Sequence, residues 1–134
     1  MLKETVVDEE RVRVVLMDSI SYVDESDTGA VVVSASHGGL SSGEYACRFA
    51  LRLVFFNDAG VGKDQAGRAS LELLQKKNRA AATVSHDSAR IGDAADHWEN
   101  GVISAANGTA LAAGVRTGTP VRDVIAQLRL ASPE

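Results

Sequence analysis

The chain has 134 residues and a mass of 14.1 kDa, the size of one domain with enough length to bury a core unaided by disulfides. Hydrophobic residues make up 45% and charged residues 24%, with a net charge of −4, which excludes disorder and argues against a nucleic-acid or anionic-membrane binder. The single cysteine, Cys47, excludes an internal disulfide framework and a Cys-rich zinc site.

No apolar run is long enough to span a membrane, and the acidic start MLKETVVDEE is unlike a signal peptide. A single domain over residues 1–134, cytoplasmic in location, is therefore expected. Residues 1–10 read as a charged, frayed start. Residues 11–17 then form a β-branched, partly alternating strand. After a turn-rich stretch, Ala30-Val31-Val32-Val33-Ser34-Ala35 is continuously apolar, as expected of a strand covered on both faces. Ser41 or Ser42 caps a short helix reaching about Ala50.

Residues 51–56 form the next strand and end at Asn57-Asp58. A helix is predicted over 64–77, with Asp64 as N-cap, Lys76-Lys77 at the negative end of the dipole and Asn78 as C-cap. Ala80 to Val84 is a further strand, ending at Ser85-His86-Asp87. Val102 to Ala113 reads as an Ala-rich helix closed by Gly114. Thr119 and Pro120 open a last helix running to about Leu130. Strands alternating with helices indicate an α/β fold, a Rossmann-like three-layer sandwich with a mostly parallel sheet of about four strands. The scarcity of aromatics, 4% of the chain, leaves a thin core and points to a homo-oligomer.

In an open parallel sheet, ligands bind outside the carboxyl ends of the strands. Three successive strands here end in polar, glycine-containing loops that carry His37, Asp58 and His86. Those three residues are the candidate catalytic groups. Desolvation beside Leu53-Val54-Phe55-Phe56 is expected to raise the Asp58 pKa and suit it to acid–base work. Gly38 and Gly39 allow a ligand to approach the backbone, and the helix that follows offers free N–H groups to an anion. Gly38, Gly39, Ser41, Ser42, Asn57, Lys63 and Arg90 are accordingly the candidate substrate-binding residues.

Sharper motifs do not fit. Gly39-Leu40-Ser41-Ser42-Gly43 matches the bare nucleophile-elbow string, but its serine sits too far beyond the strand. Gly62-Lys63 lacks the glycine and hydroxyl residues of a phosphate loop, having Asn57 and Asp64 in their places. A looser anion site built from that loop's backbone and Lys63 fits the residues equally well. Glu99 and Asn107 could also reach the rim from beyond Trp98. His37, Asp58 and His86 are chemically compatible with a metal, but no paired-histidine string supports one, and neither metal nor cofactor is expected. A strand ending in Ser36-His37-Gly38 resembles the histidine strand of caspase-type cysteine proteases. Their nucleophilic cysteine ends the next strand, where this chain has Asn57-Asp58, with Cys47 on the intervening helix.

These residues point to a small enzyme, of hydrolase or proton-transfer type, acting on a small carboxylate- or phosphate-bearing metabolite. The alternatives are a non-catalytic anion-binding or regulatory module, or a subunit that completes a partner's active site.

Overall fold

The β-branched runs pair into a six-stranded mixed sheet in strictly consecutive order. The computed structural model describes residues 2–130, apart from the side chains of Lys63 and Asp64. The strands are β1 (Lys3–Asp8), β2 (Arg13–Met17), β3 (Val31–His37), β4 (Leu53–Asn57), β5 (Ala81–Val84) and β6 (Ile103–Ala106). The helices are α1 (Leu40–Cys47), α2 (Ala69–Lys76), α3 (Ala94–Asn100), α4 (Gly108–Ala112) and α5 (Val121–Leu130). β2 to β5 are mutually parallel, while β1 and β6 flank them as antiparallel edges.

Val31, Val32 and Val33 are completely buried, as a central strand covered on both faces requires. One face packs Val32, Val54, Phe56 and Ala81 against Ala46 of α1 and against Leu71 and Leu74 of α2. The other face packs Val31, Val33, Phe55 and Val84 against Ala94 of α3 and Val121, Val124 and Ile125 of α5. The three connections between parallel strands, which carry Ile20, α1 and α2, all contribute to the first face. The sheet is therefore wound in one direction from β2 to β5, and its strand order never reverses.

Two edges depart from the sequence reading. Residues 3–8 are not frayed: they form β1, pinned by the Leu2 N–H donating to Asp18 and by the Lys3 ammonium, 3.0 Å from buried Asp27. Residues 102–113 are not one helix. Ile103–Ala106 joins the sheet as β6, and Asn107 then caps the short α4 through the Ala110 N–H. Alanine favours helix locally, but the ladder to β5 and the satisfied cap outweigh that preference. The sheet thus has six strands rather than about four.

Smaller shifts have equally local causes. Gly39, not Ser41 or Ser42, is the N-cap of α1, and both serines lie inside the helix. The predicted 64–77 helix begins as a 3-10 turn, Lys63–Arg68, and becomes α-helical only at Ala69, so the N-cap position of the α-helix falls at Arg68 and residue 64 lies inside the preceding turn. Asn78 sits one residue past the C-cap, in the left-handed conformation at φ 57°. A segment absent from the sequence reading, α3, is capped by Asp93 through the Asp96 N–H. No helix among the described residues is long and apolar enough to cross a membrane.

Candidate active site at the strand ends

Because β3, β4 and β5 are adjacent and parallel, their carboxyl ends open on the same rim. His37 ends β3 opposite Asn57, the last residue of β4. Asp58 follows, with only 4% of its surface exposed. Its Oδ1 accepts from the Gly60 N–H at 2.9 Å and the His86 N–H at 3.1 Å, and the His86 ring Nδ1 lies 3.1 Å away. The His86 side chain is half exposed, and its Nε2 meets the solvent-facing Asp87 carboxylate at 3.2 Å.

This environment corrects the expectation for Asp58. Desolvation is the largest single influence and does push its pKa up. Hydrogen bonds from the Ser104 hydroxyl, the Gly60 and His86 amides and the His86 ring act together in the opposite direction. They win, and the carboxyl is held below its ordinary value. Asp58 is thus a fixed anion that orients an imidazole rather than a group that carries protons near neutrality. With Nδ1–H donating to Asp58, Nε2 lies on the solvent side of the ring beside the Asp87 carboxylate, to which it donates only when it too carries a proton.

Ser104 lies on β6 beside Thr83 of β5. Its hydroxyl lies 2.9 Å from that of Thr83, and 3.4 Å from the Thr83 carbonyl. With Thr83 donating, the Ser104 hydroxyl keeps its own hydrogen for a second acceptor, and it is among the groups that hold the Asp58 carboxyl below its ordinary value. Arg68, the residue before α2, extends toward the same strand, with Nη2 3.5 Å from the Ser104 carbonyl.

Beneath the rim a second polar group is fully enclosed. His97 of α3 is 0% exposed; its Nδ1 lies 2.8 Å from the Asp93 carbonyl, and its Nε2 3.2 Å from the Asn57 amide nitrogen. The carbonyl can only accept, so Nδ1 carries the hydrogen and Nε2 accepts from Asn57. Burial is the dominant cause that depresses the His97 pKa, keeping the ring neutral. Asn57 also donates to the Ala89 carbonyl at 3.0 Å and accepts from the Ala59 N–H at 2.7 Å. Asn57 is therefore a strut between the loops after β4 and β5, with its side chain buried rather than offered to a ligand.

The other sequence candidates divide. His37 is exposed, and it is not among the hydrogen-bond partners of the Asp58 carboxylate. Gly38 and Gly39 do lie at the turn from β3 into α1, which no side chain caps. Ser41 is exposed, whereas Ser42 donates back to the His37 carbonyl. A Cβ on Gly38 would strike the Gly67 carbonyl, and one on Gly67 would strike the Asp58 carbonyl, so glycines are needed where these segments cross.

The loop after Asp58 does not cradle an anion with its backbone. The N–H groups of Ala59, Gly60, Val61 and Gly62 are spent on Asn57 Oδ1, Asp58 Oδ1, the Asp58 carbonyl and the Gly60 carbonyl. The Lys63 side chain lies outside the described residues. Arg90 is exposed, and its backbone N–H is held by Asp96 at 2.7 Å. Glu99 instead pairs with Arg122 at 3.1 Å, and that guanidinium stacks on Trp98. Asn107 bonds the Ala81 N–H at 3.2 Å, at the far end of β5 from the rim. Cys47 ends α1 with its thiol pKa raised by burial, so the cysteine needed for the caspase-type arrangement is absent from the end of β4.

Ser104, Thr83, Arg68 and His97 escaped the sequence reading because no spacing marks them. Each matters only through a neighbour distant in the chain. Among the described residues, no cluster of three or more His, Cys, Asp or Glu is arranged to hold a metal ion.

The fold is thus an α/β protein with a mixed six-stranded sheet and five α-helices. No protein-family model matches the chain, and neither a curated protein nor a solved structure shows a match. The functional reading therefore rests on the geometry.

Proposed function

We propose that the protein is a small cytoplasmic enzyme of hydrolase or proton-transfer type, acting on a small anionic metabolite at the rim formed by the ends of β3, β4 and β5. The observation that carries this reading is the pairing of buried, ionised Asp58 with half-exposed His86 across 3.1 Å. A buried carboxylate on Nδ1 fixes the imidazole's orientation and tautomer, and stabilises the cation formed when Nε2 takes a proton. His86 is the proton carrier, Asp58 its orienting partner, and His37 a second titratable group on the same rim. The N-terminus of α1, where Gly39 makes no side-chain cap, and the guanidinium of Arg90 are the donors for the substrate's anionic group; the Gly38 N–H is taken by the Asn57 carbonyl at 2.8 Å.

Helices cover both faces of the sheet, which supports a Rossmann-like three-layer reading, and the proposal uses only the shared rim. Exposed Leu40, Ile91, Leu111 and Leu130 supply apolar surface for packing subunits into a homo-oligomer.

Turnover decides the matter. The wild-type protein is offered carboxylic esters, phosphate monoesters and, in deuterated water, 2-oxo and 2-hydroxy acids, with hydrolysis or deuterium incorporation followed by NMR. The expected result is turnover in one class, reduced about 10²–10⁴-fold by His86→Ala in a protein that stays folded. Absence of turnover in every class, or undiminished turnover in His86→Ala, defeats the reading.

One observation favours the non-catalytic alternative. Two of the bonds to Asp58 Oδ1 come from backbone amides, which is how an aspartate shapes its own loop. An anion-binding module would keep its ligand affinity and show no turnover.

A further inference from the structure

We infer that Arg68 forms the oxyanion-binding subsite of this rim, taking the carboxylate or phosphate group of the ligand in the open groove beside α2; the inference rests on the rim being a site for an anionic ligand. Three observations converge on Arg68. Among the described residues its buried Nε has no hydrogen-bond partner, and its one bond there, from Nη2 to the Ser104 carbonyl, is long at 3.5 Å. It belongs to none of the ion pairs among the described residues. It also lines a groove of about 540 Å³, together with Gln65, Ala69, Leu71 and Glu72.

An arginine drawn toward a sheet edge gives up part of its hydration, and an unsatisfied guanidinium donor there is costly. Its planar fork matches the two oxygens of a carboxylate or phosphate, which would satisfy the donors the protein leaves open. Location ties the subsite to the chemistry. The carbonyl of Ser104 meets Arg68, and Gly67, the residue before Arg68, crosses so close to the carbonyl of Asp58, the partner of His86, that a Cβ there would strike it. A ligand anchored on Arg68 is thus held beside the segment that crosses Asp58. Gln65 and Glu72 on the same groove provide acceptors for a hydroxyl or ammonium group next to the oxyanion.

The test follows the Arg68 Nε–H signal of ¹⁵N-labelled wild-type protein by NMR during titration with inorganic phosphate and, separately, with acetate. A saturable shift with a dissociation constant of about 1–5 mM for at least one anion is expected. Response to phosphate alone assigns a phosphoryl ligand, and response to acetate alone a carboxylate. Arg68→Lys, which keeps the charge but not the fork, should bind at least about tenfold more weakly. Arg68→Gln should abolish the amide shifts around residues 65–72. No saturable shift in the wild type, or the same amide shifts in Arg68→Gln, overturns the subsite. His86→Ala keeps the failures distinct: retained anion binding in a protein without turnover upholds the subsite while removing the acid–base reading.

Discussion

The amide of Asn57 and the ring of His97 meet at 3.2 Å in a fully enclosed layer directly beneath the candidate site. Asn57 spans the two rim loops through the Ala89 carbonyl and the Ala59 N–H, and its amide also donates to His97 Nε2, a bond that requires a neutral ring. The buried pair therefore links the protonation of a core histidine to the geometry of the rim.

That link has a pH signature. The His97 pKa is depressed in the folded protein, so between that value and the unfolded value of about 6.5 the unfolded chain binds the extra proton. Stability from this source falls as the pH drops below about 6.5. Urea unfolding at pH 5, 6 and 7 should show a declining wild-type midpoint. In His97→Gln the slope over this range should be lost, and a slope equal to that of the wild type would refute the assignment.

The Asp58 carboxyl makes the opposite kind of contribution. Its folded pKa is lowered, so the stabilisation is present above the unfolded value of about 3.9 and disappears as the pH falls through the folded value. Asp58→Asn should cost about 1–3 kcal/mol at pH 6, because the replaced charge leaves its donors with a weaker acceptor. The difference between variant and wild type should shrink below about pH 4. A gap that persists unchanged at pH 3 would mean that the ionised carboxylate is not what stabilises the loop.

Gly67 tests the crossing of segments at the rim. Its missing Cβ leaves room for the Asp58 carbonyl, and Gly67→Ala should destabilise by about 3 kcal/mol while displacing the loop after Asp58. Gly92→Ala is the control. That glycine has φ +84° and open space around it, so only the backbone preference of about 1–2 kcal/mol is lost. Equal costs in denaturant unfolding would show that close packing at Gly67 is not the determining factor.

Lys3 reports on the edge strand. The carboxylates of Asp27 and Asp24, 3.0 and 3.1 Å away, hold its ammonium pKa above the ordinary value against the opposing effect of burial, the largest single influence. Lys3→Ala should cost about 1 kcal/mol at neutral pH, a modest figure because solvent screens the pair. This contribution is full below the unfolded lysine value of about 10.4 and is lost as the pH rises through the raised folded value. Hydrogen exchange should show faster opening of β1 in the variant, and unchanged protection would separate Lys3 from the strand's stability.

A comparison of His37→Ala with His86→Ala assigns the proton carrier. The His86 ring is oriented by Asp58, whereas His37 is not among that carboxylate's partners. Once a substrate is in hand, kcat should fall about 10²–10⁴-fold for His86→Ala and much less for His37→Ala. The reverse order would move the chemistry to the end of β3.

The central strands were legible because their signal is local. Val31-Val32-Val33 and Leu53-Val54-Phe55-Phe56 are apolar throughout, and both runs are buried on both faces. The edges were not. β1 alternates charged and apolar residues weakly, and Ile103-Ser104-Ala105-Ala106 continues into a helix-favouring stretch. Each became a strand through pairing with a neighbour, which no local window contains.

The same division runs through the site. The sequence alone determined that His37, Asp58 and His86 would stand at successive strand ends, since the apolar runs stop just before them. Tertiary structure decided that Asp58 turns to His86, that hydrogen bonds to its carboxylate outweigh its desolvation, and that the Arg68 Nε is left without a partner among the described residues. The physical reason is that charge state and hydrogen-bond partnership depend on the few ångströms around a group, and those neighbours come from remote parts of the chain.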